Sequence, residues 1–355
     1  MRYSKPIKIK NVIIGGGNKI AVQSMTNSDT ADRNATAKQL QMLEKLGCDI
    51  ARFTVNTQEA AQNIPYYKTI TKMPLVADIH FDYTLAIESA KAGIDKIRIN
   101  PGNIGSDVKI KAVCEACKFY KIPIRIGINS GSLEKEILAK YGAPTAEAIV
   151  ESALNSAEKL EKFAFSDIVL SLKSSDVSTV IAANRLLAAK CDYPLHIGVT
   201  EAGTGSAAYI KSAIGIGSLL YDGIGDTIRV SLSENINNEI KAANDILRAL
   251  NLKGGIRIIS CPTCGRTKIN LISLAKQLEK RLKTIKTEKT IKVALMGCAV
   301  NGPGEASEAD IGAAGGVGEA LIFKKGVPCF KIDEDKIVDT LVSEVKKLCK
   351  NNAAK

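Results

Sequence analysis

From residue 20 onward the chain alternates between short apolar, β-branched runs and longer stretches with apolar residues at three- and four-residue spacing. This two-period rhythm constrains the fold more than any other feature. The runs predict strands at Ile20–Thr26, Cys48–Val55, Pro74–His80, Lys96–Asn100 and Pro123–Ser130, then Asp167–Lys173, Pro194–Ala202 and Asp226–Ser233. Helical spacing between them is typified by Leu40, Leu43 and Leu46, with Gly47 and Gly93 marking helix ends. Eight strand–helix units match a parallel (β/α)8 barrel of the TIM type, which typically takes about 250 residues. An open doubly wound sheet is the alternative. It is disfavoured because Gly203-Thr204-Gly205 lacks the third glycine and acidic partner of a dinucleotide fingerprint. Leu252 to Gly255 reads as a linker, so residues 1–252 form the barrel and 253–355 a smaller α+β domain.

That smaller domain carries the most specific chemistry. Cys261-Pro262-Thr263-Cys264 and, farther on, Gly297-Cys298 each follow a β-branched run and open a Gly/Pro-rich turn. Thiolates on two adjacent turns suit a soft metal centre. Three cysteines around a cubane [4Fe–4S] cluster leave one iron for another ligand. A zinc knuckle wants four Cys or His ligands, and the two histidines, His80 and His196, lie far upstream. A redox dithiol starting the helix expected over 267–284 would leave Cys298 unexplained. A structural disulfide fits poorly, because nine cysteines in 355 residues are too sparse for a disulfide framework and suit a reducing cytosol. Cys48, Cys114, Cys117, Cys191, Cys329 and Cys349 are expected to be packing residues, with Cys114 and Cys117 on one helix.

No run approaches the about 18 to 20 apolar residues of a membrane span, and no signal-peptide core follows the basic N-terminus. The net charge of +12 raises nucleic acid as a partner. Aromatic residues make up only 5%, however, and no nucleic-acid-binding motif appears. A positive field suits small anions or an acidic electron carrier equally well.

In a barrel, polar residues near the C-terminal ends of strands share one site. Those positions hold Met25 and Thr26, Arg52, Asp78 and His80, Arg98 and Asn100, Arg125 and Asn129, Lys173, Thr200 and Glu201, and Arg229 and Ser231. Buried arginine needs a counter-charge. With only Asp78 and Glu201 expected nearby, the surplus calls for a multiply charged anion such as diphosphate. The bland reading places several arginines on the helix-facing side, paired with helix carboxylates.

The chain resembles the GcpE (IspG) family of 4-hydroxy-3-methylbut-2-enyl diphosphate synthases in its short bacterial form. The resemblance rests on Val22-Gln23-Ser24-Met25-Thr26, Ala77-Asp78-Ile79-His80, and the stretch from Ile97-Arg98-Ile99-Asn100-Pro101-Gly102 to Gly105. It continues through Arg125-Ile126-Gly127-Ile128-Asn129-Ser130-Gly131, Ser171-Leu172-Lys173-Ser174-Ser175 and His196-Ile197-Gly198-Val199-Thr200-Glu201-Ala202-Gly203. It ends with Ser260-Cys261-Pro262-Thr263-Cys264-Gly265-Arg266 and Asn301-Gly302-Pro303-Gly304-Glu305. No functional position departs from the pattern, and nearly the whole chain is covered.

The resemblance implies reductive ring opening of 2-C-methyl-D-erythritol 2,4-cyclodiphosphate, with two electrons delivered through a [4Fe–4S] cluster. Cys261, Cys264, Cys298 and Glu305 would ligate it. Arg52, Arg98, Arg125, Lys173 and Ser231 would hold the diphosphate. Met25, Asp78, His80, Asn129 and Thr200 would line the pocket, with Glu201 as proton donor. Ferredoxin or flavodoxin would supply electrons to a cytoplasmic homodimer in which one subunit's cluster domain caps its partner's barrel. Two other readings stand beside this one. One is a phosphosugar lyase or isomerase whose thiols bind zinc or act as a dithiol. The other is an iron–sulfur sensor or RNA-binding regulator without turnover.

Overall fold

The computed structural model describes residues 2–298, 304 and 306–350, and it divides into two compact units, Met1–Leu250 and Asn251–Lys355. Among the described residues no helix is long and apolar enough to cross a membrane.

The first unit opens with an antiparallel hairpin of β1 (Ile7–Ile9) and β2 (Val12–Ile14), which the glycine-rich sequence around it did not suggest. Eight parallel strands follow. They are β3 (Ala21–Met25), β4 (Ile50–Thr54), β5 (Leu75–Asp78), β6 (Lys96–Ile99), β7 (Ile124–Asn129), β8 (Ile168–Lys173), β9 (His196–Ile197) and β10 (Thr227–Ile228). Their order around the sheet is the sequence order, with β10 paired to β3, and a Leu170–Leu195 bridge joins β8 to the start of β9. The result is the expected barrel. The last two strands are much shorter than predicted. After Ile197 and Ile228 the chain turns into the loops that carry Thr200, Glu201, Arg229 and Ser231.

Side chains alternate in and out along each strand, which stacks the interior in layers. The lowest layer is apolar: Ala21, Ile50, Val76 and Val169 pack with Ile7, Ile9 and Ile14 of the hairpin, which therefore floors the barrel. Two residues farther along the same strands stand Gln23, Arg52, Asp78 and Ser171. The N-terminal segment is tied to the far end of the unit. The Ser4 hydroxyl donates to Asp226 Oδ1 at 2.6 Å, the Lys5 N–H to the Asp192 carbonyl at 2.7 Å, and the Arg2 guanidinium to the Cys191 and Tyr193 carbonyls.

The second unit is a five-stranded mixed sheet. Strands β11 (Gly255–Ser260), β12 (Thr290–Met296) and β13 (Ile311–Gly315) run parallel, and β14 (Glu319–Lys324) and β15 (Val327–Asp333) continue antiparallel. Helices Leu271–Leu282 and Ile337–Lys350 cover one face. They bury Leu274, Leu278, Leu341 and Val345 against Val293, Leu295, Ile311 and Ile322. On the other face Ala294, Met296, Ala314 and Phe323 pack beneath Ala306 and Ala309. Of the cysteines expected in packing, Cys48, Cys114 and Cys117 are buried, and burial pushes the Cys114 thiol up to about 12. Cys329 is instead exposed, because β15 is the edge strand of the sheet and all of its residues but the half-buried Ile332 are open to solvent.

The floor of the barrel gives a direct test. Ile9 is fully buried, so Ile9→Ala should destabilise the first unit by about 3 kcal/mol, read from its urea unfolding transition. A loss below about 1 kcal/mol would mean that the hairpin merely rests on the barrel.

Candidate functional site

The inward alternation that gives an apolar floor gives a charged mouth. The Asp78 carboxylate, on the last residue of β5, sits at its centre. Arg98 Nη1 donates to its Oδ1 at 3.2 Å, Arg52 Nε lies 3.8 Å from Oδ2, and His80 Nε2 is 3.4 Å from Oδ2. Burial alone would raise the Asp78 pKa. Arg52, then the His80 hydrogen bond and the Arg98 charge, overcome that and hold it far below the usual carboxylate range. Arg52 Nη2 and Nε also point at Met25 Sδ, at 2.8 and 3.1 Å, and Arg229 Nη1 approaches the same sulfur at 3.7 Å. Burial, reinforced by Arg229 and Arg98, lowers the Arg52 guanidinium to about 10.

Two glycines make this crowding possible. A Cβ at Gly127 would lie 2.5 Å from Arg98 Nε, so the Arg98 side chain lies flat across β7 and donates from Nη2 to the Gly127 carbonyl at 3.3 Å. At Gly198 a Cβ would meet the Arg229 carbonyl at 2.3 Å and Lys173 Nζ at 3.2 Å. Arg125 is fully buried one layer down and donates from Nη1 to Gln23 Oε1 at 3.0 Å. Lys173 is buried as well. Burial, then Arg229, Arg52, Arg125 and Arg98, keep its ammonium well below the ordinary lysine value.

Among the predicted site residues, Met25, Arg52, Asp78, His80, Arg98, Arg125 and Lys173 thus converge. Arg52, Arg98 and Arg125 point inward, which removes the reading that pairs them with helix carboxylates. Asn129, Thr200 and Ser231 are half-buried at strand ends or in the loops beyond, while Asn100 caps the short helix Pro101–Ile104 by accepting from the Gly102 N–H at 3.1 Å. Glu201 is exposed on a left-handed backbone (φ 53°). A second acid, Glu239 of helix Ile236–Ala249, reaches the rim from the helix-facing side of β3, so Arg229 does pair with a helix carboxylate. Glu239 accepts from Ser24 Oγ at 3.0 Å and the Leu232 N–H at 3.1 Å, and lies 3.7 Å from Arg229 Nε. No strand pattern could have indicated it. Lys96, two residues before Arg98 on the same face of β6, was accessible to that reasoning and was missed. Asp78 and Glu239 leave Arg52, Lys96, Arg98, Arg125, Lys173 and Arg229 under-compensated, which is the charge pattern of a polyanion site.

In the second unit, parallel pairing of Ser260 with Leu295 sets the two cysteine turns side by side, and the Gly297 N–H donates to Cys261 Sγ at 3.2 Å. Cys264 is exposed. The Arg266 backbone N–H, with help from the Thr267 hydroxyl and the Arg266 charge, draws its thiol below the ordinary value. Cys298 follows on the second turn and is half-buried. A backbone donor to one sulfur and a thiolate-favouring turn at another fit a thiophilic centre. Among the described residues no three His, Cys, Asp or Glu side chains close around a metal-sized space. Thiolates repel one another until a cation gathers them. Glu305 lies outside the described residues.

Family models cover both units. One described as the GcpE TIM-barrel domain matches residues 4–244, and one described as the GcpE protein C-terminal domain matches residues 257–347. The chain belongs to the GcpE family. Among its relatives is a 4-hydroxy-3-methylbut-2-en-1-yl diphosphate synthase (flavodoxin) of Fusobacterium nucleatum, 56% identical over 341 residues and 96% of each chain. The protein of the same name from Caldanaerobacter subterraneus subsp. tengcongensis is 57% identical over 350 residues and 98% of each chain. That of Ruminiclostridium cellulolyticum is 55% identical over 346 residues, 97% of this chain and 98% of its own. These GcpE-family matches lend no support to a sensor or RNA-binding regulator.

Two outcomes follow from the mouth. Gly127→Ala should lift Arg98 off β7 and weaken inorganic pyrophosphate binding roughly ten-fold, about 1.4 kcal/mol, by calorimetric titration. Unchanged affinity would detach Arg98 from the anion site. Lys173 has a lower pKa folded than unfolded, so in the window below 10.5 the unfolded chain binds more protons and stability rises with pH. Without a bound anion, the thermal midpoint of the barrel should climb as pH rises toward the ordinary lysine value, and Lys173→Met should make that slope shallower, with Lys96 supplying the remainder. A profile identical in both proteins would contradict it.

Proposed function

We propose that this chain carries out the reductive ring opening of 2-C-methyl-D-erythritol 2,4-cyclodiphosphate to 4-hydroxy-3-methylbut-2-enyl diphosphate, a step of non-mevalonate isoprenoid synthesis. The supporting observation is that one GcpE-family chain combines a buried cationic barrel mouth with paired cysteine turns at the ends of β11 and β12. The named relatives carry this product, and flavodoxin as donor, in their names. A flavodoxin donor also fits the net charge of +12, since an acidic carrier is drawn to a basic surface.

In this reading Arg52, Arg98, Arg125, Lys173 and Ser231 hold the diphosphate. Asp78 remains ionised and fixes Arg52 and Arg98 before substrate arrives, so little reorganisation is left for the reaction itself. Binding energy from the diphosphate, remote from the reacting carbons, orients the ring against Met25, His80, Asn129 and Thr200. Cys261, Cys264 and Cys298, with Glu305, would hold a [4Fe–4S] cluster. When bound, that cluster would relay the donor's two electrons one at a time and offer a Lewis-acidic iron. The overall change takes two electrons and one proton, opens the bridging C–O bond with its oxygen kept on the phosphate, and releases the hydroxyl as water. Glu201 holds the proton for that departure, and its left-handed backbone is the kind of local strain found at working residues. A cytoplasmic homodimer completes the proposal, and light scattering checks the dimer.

The decisive experiment is anaerobic turnover of the cyclic diphosphate with reduced flavodoxin, followed by mass spectrometry of the product. Formation of the linear allylic diphosphate that depends on iron is expected; none from a protein holding four irons would point to another diphosphate. Cys298→Ser should lose bound iron together with activity. Glu305→Ala should keep much of the iron and lose most turnover, and near-normal turnover would remove its role as a labile ligand.

A further inference from the structure

The interior below the mouth contains nitrogens that the reading above does not use. Lys96, the first residue of β6, is 0% exposed and faces inward, two positions before Arg98. Its Nζ has no hydrogen-bond partner. In the same interior, Arg125 Nε, Gln23 Nε2 and His196 Nε2 also lack partners. Each belongs to a side chain at most 1% exposed. The other ends of these groups are anchored. Arg125 Nη1 donates to Gln23 Oε1, which turns the Gln23 amide nitrogen away from that bond; His196 Nδ1 shares a 2.8 Å hydrogen bond with Thr227 Oγ1, and in the tautomer whose Nδ1 accepts from that hydroxyl, the one the site requires, Nε2 carries the proton.

Four nitrogens without protein partners on side chains this deeply buried are costly, and two belong to basic side chains. Burial, then the like charges of Arg125 and Arg52, drive the Lys96 ammonium well below the ordinary lysine value, so a charge of opposite sign is what would hold it protonated. Asp78 is engaged with Arg52, Arg98 and His80, and the strand neighbours level with Lys96 and Arg125 are the apolar Val76 and Val169. A single water would not resolve the arrangement, since it accepts about two hydrogen bonds and carries no charge. An anion accepts from several donors at once and supplies the missing charge. Full enclosure restricts it to a small one.

We propose that the barrel interior, one layer below the mouth, binds a monatomic anion of the halide class between Lys96, Arg125, His196 and Gln23. The anion neutralises Lys96 and braces Arg125 from below, leaving the outer face of the arginine cluster for a larger polyanion.

The test uses the full chain, saturated with inorganic pyrophosphate so that the mouth is occupied. Chloride is raised against gluconate at constant ionic strength while the thermal midpoint of the barrel is followed. A midpoint that rises with chloride in the unmodified protein, and no longer does so in Lys96→Met, is the expected result. Equal chloride dependence in both proteins would overturn the proposal. Bromide soaked into crystals of the unmodified protein tests it independently of whether the variant folds. An anomalous peak within hydrogen-bonding distance of Lys96 Nζ supports the site. Water or empty density there, with bromide only at the mouth, refutes it.

Discussion

The ionised Asp78 carboxylate organises the whole barrel interior. It is the single acid shared by Arg52, Arg98 and His80, and without it the guanidinium groups would repel one another out of the positions they occupy. Neighbouring positive charge is also what keeps this buried acid charged. Each member therefore depends on the others, and the arrangement is stable only as a set. The set still carries net positive charge, which is the property that the proposed anion site would use.

That arrangement explains why the glycines matter more than their size suggests. At Gly127 the missing Cβ is the space through which Arg98 reaches its carbonyl partner, and at Gly198 it is the space beside Lys173 and the Arg229 carbonyl. Most barrels fill these layers with branched apolar side chains. Here long cationic side chains fill them, and glycine on the neighbouring strand provides the room.

Much of this was legible in the sequence because strand alternation is a strict rule. Once Arg52, Asp78, Arg98, Arg125 and Lys173 were set on strands, their common face followed from the period of two. The same logic extends to Lys96 and Gln23. The N-terminal hairpin was not legible: three-residue strands beside a glycine run give too short a pattern. Glu239 was hidden for a different reason. It reaches the mouth from a helix, and its position depends on the loop after β10 folding back onto β3, a tertiary event with no local signature. The cysteine turns were visible through their spacing, and their adjacency through the parallel pairing of two β-branched runs.

The N-terminal ties have a consequence for how the protein is made. Arg2, Ser4 and Lys5 find partners between residues 166 and 226, so they leave the ribosome well before the segments that satisfy them. At about 5 to 20 residues per second, the floor of the barrel stays open for ten seconds or more of synthesis, exposing Ile7, Ile9 and Ile14. The nascent barrel closes when its final strands arrive to meet its first, and chaperones have that interval in which to act.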